Sequence, residues 1–256
     1  MKKLRMGIIG VGMAFEKLHY PAYQMLSDKY EVAAIADFDR QKTEKWKNIL
    51  QLQNKDIYTD FRHMLERLDI DAFDTLVPIE LNFEVTKEVA SVGKPIICEK
   101  PLAPNLEEAR RARDIQKQYG IPVMIAENYR YNEEVNIIKD LVESKKVGDV
   151  SYFIWNRFMD FPQEMTTAKF AAREWRQHPE FPGGVILDTG VHDIAALRHI
   201  FGDAQKVQSF GKPQQEDFAP YSVMMTNMVF KNGILGSYTF YCSGKETVKP
   251  FTGLRI

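Results

Sequence analysis

GIIGVGMAF, residues 7 to 15, decides how the first half of the chain folds. Leu4 to Ile9 is a short apolar run that reads as a strand. Gly10 and Gly12 follow at once. From Val11 to Ser27 apolar residues then recur at helical spacing, with Pro21 placed to disturb the helix. Strand, glycine turn and helix make one βα unit, and the rest of the half repeats it.

Glu31 to Ala36 is the next strand, ending at Asp37, and DRQKTEKWKNILQL is a charged amphipathic helix. A brief DIYTD leads into the helical FRHMLERL. Ala72 to Val77 is an apolar run stopped by Pro78, and NFEVTKEVASVG is a helix closed by Gly93. Pro95 to Cys98 is another strand, stopped by Glu99, Lys100 and Pro101. Asn105 and Glu108 form a capping box for the helix LEEARRARDIQKQYG, and IPVMIAEN is one more strand. Apolar strands alternating with helices predict a parallel sheet covered on both faces. Ligands of such sheets sit at the carboxyl ends of the strands, where Asp37, Pro78, Glu99, Lys100 and Asn128 all fall.

The pattern changes near Tyr129. EEVNIIKDLVESKKVGD is a helix, VSYFIWNRFMD a long strand, and VILDTGVHDIAALRHIFG a helix closed by Gly202. KVQSFGK, YSVMMTNMVF and ILGSYTFYCS are strands, the last two joined by an Asn232-Gly233 hairpin turn. The fold class is therefore α/β: a parallel-sheet domain over residues 1–127, of the kind a Rossmann dinucleotide-binding fold would have, then an α+β domain over 128–256 on an open, mostly antiparallel sheet.

In the dinucleotide fingerprint the first glycine makes the tight turn. The second lets backbone N–H groups approach a pyrophosphate at a helix N-terminus. Gly10, Gly12, Met13 and Ala14 fill those places. Phe15 stands where glycine or alanine is usual, which predicts looser strand–helix packing. Asp37 lies where an acid meets the adenosine ribose hydroxyls and favours NAD, while Arg40 keeps NADP open.

GIIGVG, YTDFRHML, GKPIICEKPLA, ENYRYN and GGVILDTGVH together resemble the Gfo/Idh/MocA family, the glucose-fructose oxidoreductase and inositol dehydrogenase group. The resemblance runs from Met6 to the end of the chain. It implies an NAD(P)-dependent oxidoreductase acting on a sugar, cyclitol or related polyol. Lys100 corresponds to the family's active-site lysine and Glu99 to the acid at the nicotinamide-side ribose. Pro101 sits where the family often has a cis peptide. Asp188 and His192 match the second-domain acid and base, and Trp175 and Arg176 look like substrate-side residues. Asn82 occupies a position where the family commonly has histidine. Two further readings of the same residues are an NAD-recycling glycoside hydrolase and a non-catalytic NAD(P)-binding regulator.

The chemistry fits those residue types. Oxidising a secondary alcohol sends a proton to a base, and an imidazole with an ordinary pKa near ~6.5 is mostly neutral at pH 7. Asp188 is four residues before His192, one turn away on the same helix face, able to orient the imidazole or bond the substrate. A lysine ammonium stabilises developing alkoxide charge. Gly190, between acid and base, suggests close approach by a ligand or neighbouring backbone. Tyr129, Arg130 and Tyr131 suit a cleft rim or hinge packing. His19, His63, His178 and His199 carry no comparable context, and no dense His, Cys and carboxylate cluster predicts a metal.

Composition narrows the partners. The 256 residues carry 34 basic and 35 acidic side chains, a net charge of −1, well interspersed. That balance recruits neither nucleic acid nor an anionic membrane. No apolar run approaches the ~20 residues that span a bilayer. The start MKKLRMGIIGVG lacks a signal-peptide cleavage site. Two cysteines, Cys98 and Cys242, fit a reducing cytoplasm. The ending GKETVKPFTGLRI stops inside an expected strand, which predicts an incomplete or exposed sheet edge. A homo-oligomer, dimer or tetramer, through the C-terminal sheet is the expected assembly.

Overall fold

The computed structural model describes residues 2–166, 174–244 and 252–256. The chain forms two compact units, Met1–Ala126 and Glu127–Ile256.

In the first unit the strands are β1 (Leu4–Ile9), β2 (Tyr30–Ala36), β3 (Ile57–Tyr58), β4 (Ala72–Thr75), β5 (Ile96–Cys98) and β6 (Val123–Ile125). They form one parallel sheet in the order β3-β2-β1-β4-β5-β6. The order reverses between β1 and β4, the switch point at which such sheets bind ligands. The helices are α1 (Tyr20–Met25), α2 (Arg40–Leu50), α3 (Phe61–Leu65), α4 (Ile79–Ala90), α5 (Leu106–Arg113) and α6 (Ile115–Tyr119). Asp39, Asp60 and Asn105 cap α2, α3 and α5 by accepting backbone N–H bonds. The single helix expected over 106–120 breaks at Asp114.

Phe15 does not loosen the packing as the fingerprint predicts. Its side chain is fully buried, edge-on to Trp46 with ring centroids 4.8 Å apart and flanked by Tyr20 and Tyr23. The helix widens instead. Phe15–His19 forms a π turn in which the Tyr20 N–H donates to the Phe15 carbonyl. Burying a phenylalanine contributes about 2–3 kcal/mol, so the aromatic cluster replaces the close glycine contact it excludes.

The second unit opens with a 3₁₀ turn (Tyr129–Tyr131), followed by α7 (Glu133–Glu143), β7 (Tyr152–Phe158), α8 (Phe161–Thr166) and α9 (Glu174–Gln177). Then come α10 (Gly184–Phe201), β8 (Ala204–Pro213), β9 (Tyr221–Phe230), β10 (Leu235–Tyr241) and β11 (Gly253–Arg255). The sheet order is β11-β7-β10-β9-β8. Every pairing is antiparallel except β10 with β7. The hairpin turns at Gly233, with φ +89°. β11 pairs with β7 at one edge, and β8 forms the other.

α10 lies against the inner face of this sheet. Asp193, fully buried, accepts from Arg157 Nε on β7 and from the Tyr238 hydroxyl on β10, each at 2.8 Å. Gly190 faces the sheet, where a Cβ would make ordinary contact with Tyr238 Oη at 3.4 Å and the Phe240 ring at 3.8 Å. Its nearest protein neighbours are these two side chains, not the backbone that sequence offers as one possibility. At the start of α10, Gly184 has φ +49° and its Cβ would meet the Phe218 carbonyl oxygen at 2.4 Å.

Candidate functional site

The glycine loop is fixed from three sides. Gly10 ends β1 at φ +91°, and a Cβ there would lie 2.2 Å from the Leu76 carbonyl oxygen. The Val11 N–H donates to Asp37 Oδ2 at 3.0 Å. The Val11 carbonyl accepts from the buried Trp46 indole N–H, also at 3.0 Å. At Gly12 a Cβ would meet nothing within 4 Å. That opening, where Met13 and Ala14 begin the helix, suits a pyrophosphate at a helix N-terminus. The residues present fit a dinucleotide.

Asp37 does more than sequence reasoning assigns it. Besides the Val11 N–H, its Oδ1 accepts the Asp39 N–H at 3.0 Å, and Lys42 Nζ lies 3.8 Å away. Each oxygen retains a second acceptor site for a ribose hydroxyl. Arg40 opens α2 with its side chain exposed, 4.0 Å from Glu44. Pro78 occupies the N-cap of α4.

The turn after β5 is held by its neighbours. The Glu99 N–H donates to the Thr75 carbonyl at 3.0 Å, and the Lys100–Pro101 peptide is cis. Asn82, buried on α4, donates from Nδ2 to the carbonyls of Glu99 at 2.5 Å and Pro101 at 2.8 Å. Its Oδ1 accepts the Cys98 thiol at 3.1 Å. Asn82 thus clamps the backbone on both sides of Lys100, a role that its place in the family pattern does not suggest. The Glu99 carboxylate accepts the Lys100 N–H at Oε2, 2.9 Å away. Its Oε1 lies 2.9 Å from His19 Nε2, and His19 Nδ1 lies 2.7 Å from Asp74 Oδ2. Sequence alone assigns His19 no context, yet it joins two carboxylates.

In the second unit, α10 carries Asp188 and His192 one turn apart. Asp188 is buried and paired with Arg176, Nε to Oδ2 at 2.8 Å. His192 Nδ1 meets Glu127 Oε1 at 2.8 Å. The same Glu127 oxygen accepts the Tyr129 N–H at 2.9 Å, and the Tyr129 ring stacks on the imidazole at 4.5 Å. Glu127 is thus the acid at Nδ1, the orienting position that sequence reasoning offers to Asp188. Its only sequence signal is its place in ENYRYN. Asn128 is exposed just before the 3₁₀ turn, and the side chain of Trp175 lies outside the described residues. Among the described residues no group of three or more His, Cys, Asp or Glu side chains has the arrangement to hold a metal ion. His199 meets Asn136 Oδ1 at 2.9 Å.

The switch-point sheet, the glycine loop and the acid after β2 define a dinucleotide-binding Rossmann protein with a second α/β unit. The chain belongs to the Gfo/Idh/MocA family. Residues 4–127 match the family profile described as the oxidoreductase family with an NAD-binding Rossmann fold, and 135–248 match the Gfo/Idh/MocA C-terminal domain. An uncharacterised protein of Saccharomyces cerevisiae is 30% identical over 94% of this chain and 68% of its own length. The crystal structure of an oxidoreductase from Thermotoga maritima aligns with TM-score 0.85 and 29% identity, covering 96% of this chain and 74% of that one. A structure of levoglucosan dehydrogenase in complex with NADH aligns with TM-score 0.81 and 25% identity, over 94% of this chain and 67% of that one. The chain spans about half to two thirds of the length of the curated relatives it matches.

Proposed function

We propose that the protein is an NAD(P)-dependent oxidoreductase acting on a secondary alcohol or carbonyl of a sugar, cyclitol or related polyol. The observation that carries this reading is the Glu127–His192 pair, stacked by Tyr129, one turn from the Arg176–Asp188 pair on the same helix. A bound nicotinamide supplies the hydride acceptor or donor. His192 takes the substrate hydroxyl proton at Nε2, while Glu127 at Nδ1 sets the tautomer and balances the imidazolium that forms. Asp188, oriented by Arg176, accepts a hydrogen bond from a second substrate hydroxyl. Lys100 stabilises the alkoxide as it develops. Gly10, Gly12, Met13, Ala14, Asp37, Arg40, Pro78, Glu99 and Asn128 form the cofactor set, with NAD favoured by Asp37.

The outer face of the second sheet supports a homo-oligomer. Phe210, Met225 and Leu235 are exposed by 64%, 57% and 54% on this face, and Tyr152 lies beside Leu235. A second copy of the chain covering this face gives the homo-oligomer, its size checked by light scattering. Cys98 and Cys242 are free, buried thiols, in keeping with a reducing cytoplasm.

A panel of polyols screened with NAD and NADP in parallel tests the activity. Turnover is expected on at least one polyol, falling by orders of magnitude in His192→Ala and in Lys100→Ala with cofactor binding retained. Binding of NAD without turnover across the panel, or unchanged turnover in both variants, overturns the reading.

A further inference from the structure

His19 lies between two acids that reach it from different strands. Asp74 on β4 is fully buried, and its Oδ2 also accepts the Tyr23 hydroxyl at 2.9 Å. Glu99 follows β5 and spends its second oxygen on the Lys100 N–H. Both imidazole nitrogens face a carboxylate oxygen, at 2.7 and 2.9 Å. Two ionised carboxylates accept from one ring only if both nitrogens carry protons. With both carboxylates ionised the ring is a cation, and it joins the wide helix after the glycine loop to the carboxyl ends of two strands. π turns of this kind recur at functional sites.

We propose that His19 is a positioning residue for the cofactor site, holding the Glu99 carboxylate, and through it the Lys100 backbone, in the orientation that binds a nicotinamide dinucleotide. The proposal rests on the reading that this unit binds that cofactor with Glu99 toward its ribose. Removing His19 takes away the group that stands between the two carboxylates. One of their oxygens, Asp74 Oδ1, already has no hydrogen-bond partner. Their mutual repulsion then favours rotation of Glu99, the less buried of the two, away from its place. The environment agrees with a cation. Burial pulls the imidazole pKa down, but the hydrogen bonds and charges of Asp74 and Glu99 outweigh it and raise it to about 10.

The test is a double-mutant cycle on the full chain, reading the dissociation constant of NAD by calorimetry. His19→Gln and Glu99→Gln are each expected to weaken binding about tenfold, the scale of one charge-assisted hydrogen bond. The double variant should be no weaker than the worse single one, because His19 acts through Glu99. Additive losses, or a His19→Gln affinity within about twofold of the parent, overturn the proposal. ¹⁵N spectra of the parent at pH 8 give a reading independent of variant folding. Two protonated ring nitrogens on His19 support the proposal, and one unprotonated nitrogen defeats it. Failure of the parent chain to bind NAD or NADH, with His19 doubly protonated, removes the cofactor reading itself and the proposal with it.

Discussion

Glu127 Oε1 stands 2.8 Å from Nδ1 of His192, so the proposed proton exchange with substrate falls to Nε2. Glu127→Gln keeps the shape and removes the charge that balances the imidazolium. Turnover should fall about a hundredfold, the lower end of the usual contribution of acid–base catalysis. The NAD dissociation constant, measured alongside, should hold. A loss confined to cofactor affinity would place Glu127 outside the chemistry.

Asn82→Ala removes the donor shared by the Glu99 and Pro101 carbonyls. Each buried acceptor left without a partner costs about 1–3 kcal/mol. With two carbonyls affected, urea unfolding should show destabilisation of about 2–6 kcal/mol, and turnover should drop because the backbone flanking Lys100 is released. A variant as stable and active as the parent would mean the clamp is dispensable.

Phe15→Ala brings the chain closer to the dinucleotide fingerprint yet should destabilise it. Truncating a fully buried phenylalanine costs about 3–5 kcal/mol. A higher thermal midpoint would show that the aromatic cluster and the π turn are not what holds the loop helix to the sheet.

His19 gives the stability a pH dependence of definite sign. Its pKa is 6.5 when unfolded and about 10 in the fold, so the folded state binds the extra proton between those values. Its stabilisation is complete below pH 6.5 and is lost as pH rises through 10. Parent stability should decline over that window by at most about 1.4 kcal/mol per pH unit. Urea unfolding at intervals across the window should give a flatter profile for His19→Gln. Equal slopes would refute the bridged cation.

The fold was largely legible from local pattern, and the site less so. Apolar runs mark β1 at Leu4–Ile9, and Asn-Gly marks the hairpin between β9 and β10. Both signals lie within a few residues. The parallel contact of β7 with β10 joins segments some eighty residues apart, and no short pattern specifies it. The same holds for side chains. His19 finds partners 55 and 80 residues away, and His192 finds Glu127 at 65. Periodicity tells which face of a helix is buried, and says nothing about which acid waits there. Phe15 misleads for a related reason: a missing glycine reads as a gap, while the ring that replaces it is packed by Trp46 from another helix.

The bond from Trp46 to the Val11 carbonyl has a practical corollary. An indole locked onto the middle of the glycine loop is an optical gauge of that loop. The chain has three tryptophans, so changing Trp155 and Trp175 to phenylalanine leaves Trp46 as the sole emitter. Its wavelength and intensity would then register events at the loop directly, with no dye attached and no substrate required.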